Sequence, residues 1–336
     1  MAEPALDLRA TRPTALEAGV RALVSMQRDD GSWEGECVWN PMLTAQYAIT
    51  VHVAGLEISD ERRRGILTHF RATQNSIGLW GLHPEDESSL FVTTLVYVAS
   101  RLLGAAKSEP WLQAARRLFA EEGGVQRIPT WGKAWLALLG LYEWSGVNPI
   151  PPELFALPPW FPIHPANYYC HTRLIYLGLA VLYGKRFTAS ATPVLEELRA
   201  ELYPAGYASI DFPSHAGEVR EADAPFRATP ALRALFGVAR QYERLAPQTF
   251  RHRVLEQLRS TMRQDLRTSD YLSLSPVNGL LTMLALWADD PADPDLERAI
   301  ERFDAWFWED SSEGSRVGGA GSVCWDTSFA CLLYTS

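Results

Sequence analysis

The chain has 336 residues, 47% of them hydrophobic and twelve of them tryptophan, so it can bury a sizeable core in one large domain or two ordinary ones. Its formal net charge of −9 argues against nucleic-acid binding, because a protein that contacts phosphates needs a basic face. The four cysteines (Cys37, Cys170, Cys324 and Cys331) are not spaced as metal ligands, so we expect a reducing compartment and neither a metal nor a cofactor.

Helical periodicity runs through almost the whole chain. Residues 1–14 read as a polar tail without the apolar core of a signal peptide, and from there Leu16, Val20 and Leu23 share one helical face. No stretch reaches the roughly 18 apolar residues of a membrane-spanning helix. Because no alternation of period two stands out, we predict an all-α fold of helical hairpins, stacked as a solenoid or closed into an α/α barrel. Further helices are predicted at about residues 42–55, 60–73, 88–104, 109–121, 131–144, 167–185, 191–203, 230–245, 250–266, 276–288 and 296–308.

One short pattern occurs twice, each time between two predicted helices. The segments 27–33 and 74–80 both read Q-x-x-x-G-x-W. Glycine suits the left-handed turn that ends a helix, glutamine can bond free backbone groups at a neighbouring helix end, and tryptophan can shield that bond from water. The alternative is two coincidental helix-end turns, which two identical matches make less attractive. We predict structural roles for Gln27, Gly31, Trp33, Gln74, Gly78 and Trp80.

The segment from residue 128 to residue 187 is the most aromatic part of the chain. It contains a predicted helix from Trp131 to Trp144, a proline-stiffened connector from Pro149 to Pro165, and a second helix that begins near Asn167. The first turns of the second helix carry two tyrosines and His171. This arrangement predicts one wall of a large apolar cavity with a single polar group.

Several longer motifs resemble those of the squalene and oxidosqualene cyclases, the triterpene cyclases. The two Q-x-x-x-G-x-W segments are similar to the QW motifs of that family. Gly35-Glu36 and Thr44-Ala-Gln-Tyr47 look closer to the squalene–hopene branch. Motifs that resemble the sterol-forming branch are P-T-W-G-K-A-W at 129–135, Y-E-W-S-G at 142–146, N-P-I-P-P-E at 148–153, P-I-H-P at 162–165, C-H-T-R at 170–173, Y-G-K-R-F at 183–187, I-D-F at 210–212 and W-D-T-S-F-A at 325–330.

The resemblance implies the terpenoid-cyclase fold, in which two α/α barrels enclose the active-site cavity. Residues 15–300 would form the inserted barrel with its two QW motifs, and residues 301–330 would be the truncated start of the catalytic barrel. Residues 331–336 are those encoded by TGT CTC TTA TAC ACA TCT, a transposon end used in sequencing libraries. We interpret these six residues as a sequencing-adapter artefact.

The chemistry that the resemblance implies is cyclisation of 2,3-oxidosqualene to a sterol-type tetracyclic alcohol. An acid opens the epoxide, and the folded polyene then closes through a series of carbocations. Aromatic faces can stabilise such cations in a dry pocket without trapping them, by up to about 2 kcal/mol each.

Five residues of this chain match positions that contact the substrate in the family. Trp131 would line the cavity, Tyr169 would stand where the family has an aromatic cavity residue, and His171 would stabilise late cations or orient a hydroxyl. Tyr176 would lie at the constriction of the substrate channel, and Trp325 beside the early ring-forming site. The structural alternatives are a core tryptophan at 131, a rim tyrosine at 169 and a hydrogen-bonded core histidine at 171.

Membrane attachment on one face is a further expectation, at the cytoplasmic side and within one leaflet. The apolar run from Leu174 to Tyr183 and the loop Pro158–Pro162 could dip into the bilayer and admit substrate directly. The alternative is a buried hairpin. We expect His164 to structure the loop.

The sequence departs from the family at the general acid. The catalytic aspartate of the family belongs to a D-C-T-A-E motif, which does not occur here, and Asp326 reads as a structural residue at a helix start. Since a raised-pKa aspartic acid starts the reaction, we predict that the 336-residue chain is inactive by itself.

Three other functions remain open. A squalene–hopene cyclase would protonate an alkene, whereas the C-H-T-R and P-I-H-P segments favour the epoxide branch. A non-catalytic α/α scaffold would bind a lipid with the cavity wall alone. An α/α-barrel glycosidase has less support, because no convincing pair of cleft carboxylates is present.

Overall fold

A computed structural model of the chain describes the backbone of residues 8–38, 40–224 and 228–335. Its elements are almost entirely helical, which confirms the all-α prediction, and one short hairpin adds two strands. The elements are α1 (Leu8–Ser25), α2 (Met42–Ala54), α3 (Asp60–Ala72), α4 (Leu90–Leu102), α5 (Gln113–Glu121), α6 (Thr130–Leu138), α7 (Cys170–Lys185), α8 (Pro193–Leu202), α9 (Pro230–Leu245), α10 (Gln248–Thr268), α11 (Pro276–Trp287), α12 (Pro294–Phe303), β1 (Phe307–Asp310), β2 (Gly314–Val317) and α13 (Val323–Thr335).

The described residues fall into two compact units. The larger unit runs from residue 38 to residue 319, and the smaller one joins the residues up to 37 with those from 320 onward. The domain boundary predicted at residue 300 therefore lies inside the larger unit, within α12, which packs against α11. The assignment of residues 301–330 to a second barrel stays a prediction.

The core of the larger unit consists of helices that are buried on almost every side. Helices α2 and α11 each bury ten residues, so they are enclosed rather than merely amphipathic. Helix α2 packs on α4 and α11, and α11 packs on α7. Helix α9 is the opposite case, since none of its residues is buried. These enclosed helices support the candidate site, because α6 packs on α2 and α7 packs on α11.

The aromatic helix of the central segment is shorter than predicted. It ends at Leu138, because Gly140 takes a left-handed conformation (φ 67°) and Trp144–Gly146 forms a separate 3₁₀ turn. The helix predicted from Asn167 begins at Cys170, since Pro165–Asn167 is also a 3₁₀ turn. Trp131 and His171 therefore lie on two helices, α6 and α7, that are shorter than predicted and are joined by an irregular connector.

A β-hairpin replaces the end of the helix predicted at 296–308. Helix α12 ends at Phe303, and strands β1 and β2 pair antiparallel with Phe307 opposite Val317. Gly314 takes φ 76° at the turn, and the Asp310 carboxylate accepts the Glu313 backbone N–H at 2.7 Å. Strands of four residues are too short to give a reliable alternation in the sequence.

In the smaller unit, α1 packs against α13, and Cys37 pairs with Ala320 in an isolated antiparallel bridge. Helix α1 begins at Leu8, within the segment predicted to be a polar tail, while residues 1–7 lie outside the described residues. Within the described ranges, no helix combines the length and the apolar character needed to cross a membrane.

Candidate functional site

Trp131 lies in the first turn of α6 and lines a cavity of about 850 Å³ in the larger unit. Its ring meets Trp135 edge-on, with the ring centroids 5.9 Å apart. The next residue must be glycine, because a Cβ at Gly132 would stand 2.6 Å from the Phe91 ring. Thr130 is held on the other side by the Asn148 side chain, whose Nδ2 donates to Thr130 Oγ1 at 2.8 Å. A partly buried indole is thus fixed from both neighbouring positions.

Tyr169 and His171 come together at the start of α7. Their rings stack nearly parallel, with centroids 5.2 Å apart and an interplanar angle of 11°. The Sγ atom of Cys170 lies 3.3 Å from His171 Nδ1, so both the ring face and one ring nitrogen are in contact. Tyr169 is 69% exposed, and His171 is half-buried. This geometry fits a histidine at a surface that another body can cover, and it differs from an enclosed core histidine.

Tyr176 lies less than two turns after His171 and is packed among other aromatic rings. Its centroid is 5.8 Å from that of Phe155 and 5.8 Å from that of Tyr168, and its hydroxyl reaches the Pro151 carbonyl at 3.5 Å. Burial raises the pKa of this phenol well above its ordinary value. Tyr176 is therefore a neutral hydroxyl at all physiological pH values, wedged against the proline-rich connector.

The connector also lines an apolar groove with α9. The groove has a volume of about 380 Å³, and α9 contributes Leu235, Val238 and Tyr242 to its wall. Val238 is 68% exposed. Sequence reasoning missed this site, although the apolar residues of α9 recur at helical spacing and would have predicted an amphipathic helix.

A buried ion cluster joins α9 to the connector beside this groove. Arg251 Nε donates to Glu153 at 2.7 Å, and Arg251 Nη2 donates to Glu243 at 2.8 Å. Although burial opposes its charge, the hydrogen bonds that the guanidinium donates to the two carboxylates raise its pKa. Glu153 belongs to the 3₁₀ turn Pro152–Ala156, so one arginine holds the two walls of the groove together.

The two segments expected to enter a membrane behave differently. The expectation is wrong for most of the run Leu174–Tyr183, because residues 177–183 are buried in the core against α10 and α11. The loop Pro158–Pro162 is exposed at its tip, where Trp160 is 77% exposed. His164 accepts the Ala166 backbone N–H on Nδ1 at 2.9 Å, so it does structure this loop.

Trp325 lies in the smaller unit, in the first turn of α13, and is 66% exposed. The following Asp326 does not cap the helix, since Ser322 Oγ accepts the Trp325 N–H at 3.2 Å. Instead, Asp326 accepts the Gly35 backbone N–H at 2.8 Å, and Thr327 accepts that of Trp33 at 2.9 Å. The side chains after Trp325 thus hold the segment that follows the first Q-x-x-x-G-x-W turn.

Both Q-x-x-x-G-x-W turns have the same hydrogen bonds. In the first, Gln27 Nε2 donates to the Gly31 carbonyl at 2.9 Å, and Trp33 Nε1 donates to Leu23 at 2.7 Å. In the second, Gln74 donates to Gly78 at 2.9 Å and Trp80 donates to Phe70 at 2.7 Å. Both glycines are left-handed, with φ of 83° at Gly31 and 76° at Gly78. The repeated letters therefore correspond to a repeated turn.

Comparison with known proteins gives one family match and a consistent set of relatives. Residues 16–312 match the squalene-hopene cyclase N-terminal domain. Lanosterol synthase from Mus musculus is 34% identical over 93% of this chain and 43% of its own length, and cycloartenol synthase from Dictyostelium discoideum is 31% identical over 98% and 47%. Alpha-onocerin synthase LCD from Lycopodium clavatum is 30% identical over 94% and 43%. The chain spans less than half the length of these relatives.

Proposed function

Because this chain belongs to the family of the squalene-hopene cyclase N-terminal domain, we propose that it is part of a triterpene cyclase that converts 2,3-oxidosqualene to a sterol-type tetracyclic alcohol. The match over residues 16–312 is the observation that carries the proposal. The names of the relatives, lanosterol synthase and cycloartenol synthase among them, support the sterol-forming branch.

The chain would contribute one wall of the cyclisation cavity. Trp131 presents a partly buried indole to a cavity of about 850 Å³, and the Tyr169–His171 pair presents two stacked rings. Such faces attract developing carbocations by up to about 2 kcal/mol each when water is excluded. An aromatic face attracts a cation without forming a bond to it, so the cation is not captured.

The general acid would come from outside these 336 residues. The reaction starts with proton transfer to the epoxide, and none of the aspartates here lies in a D-C-T-A-E segment. We therefore propose that the chain alone does not cyclise oxidosqualene. Activity belongs to the complete protein, with Trp325 beside the first ring to form.

The test compares squalene with 2,3-oxidosqualene as substrates of the complete protein, with the products identified by mass spectrometry. We expect a tetracyclic alcohol from oxidosqualene and no product from squalene. Hopene from squalene would favour the alternative squalene–hopene activity. Replacing His171→Ala should lower kcat by at least about tenfold, whereas the matched control His252→Ala should be neutral, since His252 is an exposed residue of α10. Equal activities of the two variants would remove His171 from the site.

Attachment to one leaflet at the cytoplasmic side is part of the proposal. Helix α9 buries no residue and exposes Leu235, Val238 and Leu245, and Trp160 is exposed on the neighbouring connector loop. An apolar helix face in water costs free energy that a bilayer interface would recover. The groove of about 380 Å³ between α9 and the connector would then open towards the lipid.

Vesicle flotation tests attachment directly. The 336-residue chain should float with phosphatidylcholine vesicles, and Val238→Glu should weaken its partition by about tenfold or more. The matched control is Leu16→Glu, on α1 and outside the groove, because Leu16 is 68% exposed like Val238. Unchanged flotation of the Val238 variant would exclude α9 as the anchor.

The groove also supports a second candidate function, that of a non-catalytic scaffold that binds a lipid. Its lining is almost wholly apolar, with Leu154, Leu157, Ile163 and Phe250 opposite or beside α9. Under that alternative, the complete protein would bind a triterpene without converting it. The product assay separates the two functions.

A further inference from the structure

Lys133 is a buried amine that the proposed chemistry does not use. It lies in α6 two residues after Trp131, and its side chain is wholly buried. Its Nζ atom donates to two backbone carbonyls, those of His215 at 2.6 Å and Glu218 at 2.8 Å. The ring of Tyr142 is 5.9 Å away. Burial lowers the pKa of Lys133 to about 8, against the attraction of Glu218.

The two carbonyls belong to a segment that forms part of the Trp131 cavity. Gly217, Glu218 and Val219 line the cavity together with Trp131. The segment has no long regular element, since it contains only the 3₁₀ turns Phe212–His215 and Glu221–Asp223. Its position must therefore come from contacts with the helices around it.

Further bonds fasten the far end of the same segment, among them those of the Arg220 guanidinium to Glu122 and to the Ser88 carbonyl. The Arg220 backbone N–H donates to the Arg127 carbonyl at 2.8 Å. The Asp223 carboxylate accepts the Leu90 N–H at the start of α4, at 3.0 Å. Of these bonds, the two made by Lys133 come from the helix of Trp131, so they tie that helix directly to the segment on the other side of the cavity.

We propose that Lys133 is a positioning residue that sets the distance between Trp131 and the cavity wall at residues 215–219. An apolar side chain there would leave two carbonyls without their donor, and a shorter polar one would not reach both. A lysine supplies several N–H donors on a long stem, which matches two carbonyls on one turn. The catalytic part of this inference rests on the proposed function, because it takes the cavity to be where cations form.

Hydrogen exchange measured by mass spectrometry on the 336-residue chain tests the fastening. Lys133→Met should speed exchange of peptides that cover residues 213–222 by about tenfold. Lys133→Gln keeps N–H donors on a shorter stem and should give an intermediate increase. Lys185→Met is the matched control, since Lys185 donates to the Ala288 carbonyl at 2.8 Å and ties a different loop. If the methionine variant does not fold, the glutamine variant decides.

A second readout follows Trp131 itself. Subtracting the emission of a Trp131→Phe partner from each protein isolates the signal of this one indole. The isolated emission should shift to the red, and quencher access should rise, in Lys133→Gln and Lys133→Met but not in Lys185→Met. Unchanged exchange at 213–222 with an unchanged Trp131 signal in folded variants would overturn the proposal. Neither readout uses a substrate, so this outcome is independent of whether the complete protein is a cyclase.

Discussion

The two Q-x-x-x-G-x-W turns share their hydrogen bonds but not their surroundings. Trp80 is wholly buried and meets Trp111 edge-on at 6.1 Å, while Trp33 remains 8% exposed. Gln74 makes a second bond, to the Trp111 carbonyl at 2.8 Å, whereas Gln27 is exposed and bonds its own turn. The same local sequence therefore fastens a helix pair in one unit and closes a surface turn in the other.

The largest effect should appear when the tryptophans are removed. Trp80→Ala would open a cavity in the core and lose the bond to Phe70, so we expect a loss of about 4 kcal/mol in the free energy of unfolding. Trp33→Ala should cost about 3 kcal/mol and affect only the smaller unit. Urea unfolding followed by circular dichroism gives both values. Equal losses would mean that the environment of the turns does not matter.

A second difference lies five residues before each turn, where α3 has His69 and α1 has Ala22. Burial, and then the Arg316 guanidinium, lower the pKa of His69 to about 4. The folded state therefore favours neutral His69, and its contribution is complete above the unfolded pKa of about 6.5 and is lost as the pH falls towards 4. We expect the larger unit to lose up to about 3 kcal/mol of stability over that interval. His69→Leu should remove most of this pH dependence, as measured by urea unfolding at several pH values.

Replacing the two glycines should change the free energy of unfolding by smaller amounts. Gly78→Ala places a methyl group 3.3 Å from Ala114 in addition to the left-handed backbone, so we expect a loss of about 2 kcal/mol. Gly31→Ala meets only the Gln27 side chain at 3.9 Å and should cost about 1 kcal/mol. Thermal unfolding compares the two variants. A larger loss at Gly31 would contradict the idea that packing around Gly78 adds to the backbone strain.

The glutamines should show the smallest effect. Gln74→Met loses two bonds in a half-buried place, which should cost about 1–2 kcal/mol, while Gln27→Met loses one exposed bond and should cost about 0.5 kcal/mol or less. Replacing both residues in one chain should give the sum of the single losses, because they lie in separate units. Strong coupling in the double variant would be inconsistent with that division.

Helix type and order were largely predictable because they depend on local spacing. The predicted helix at 230–245 coincides with α9, and the one at 276–288 ends one residue after α11. The largest miss lies where the chain changes direction because of contacts with a distant part of the sequence. The hairpin at Phe307–Val317 packs on α3, more than two hundred residues earlier in the sequence, and no local pattern predicts it.

The same division applies to the candidate site. Family motifs predicted Trp131, Tyr169, His171, Tyr176 and Trp325 as site residues, but not the groups that hold them. Lys133 stands in the quoted P-T-W-G-K motif, yet its partners lie more than eighty residues later. Arg251 joins Glu153 and Glu243 from two other elements. Such side-chain contacts depend on which distant segments the fold brings together.

By itself, the sequence determined the helical periodicity, the two repeated turns and the family, because each depends on residue types at short fixed spacings. Only the tertiary structure decided that residues 177–183 are core while the apolar face of α9 is exposed. Hydrophobicity gives an apolar surface the tendency to leave water. The neighbouring elements decide whether that surface is buried inside the protein or stays exposed. The tertiary structure likewise assigned the lysine of the W-G-K motif to two distant carbonyls, since a buried amine must find acceptors wherever the fold brings them.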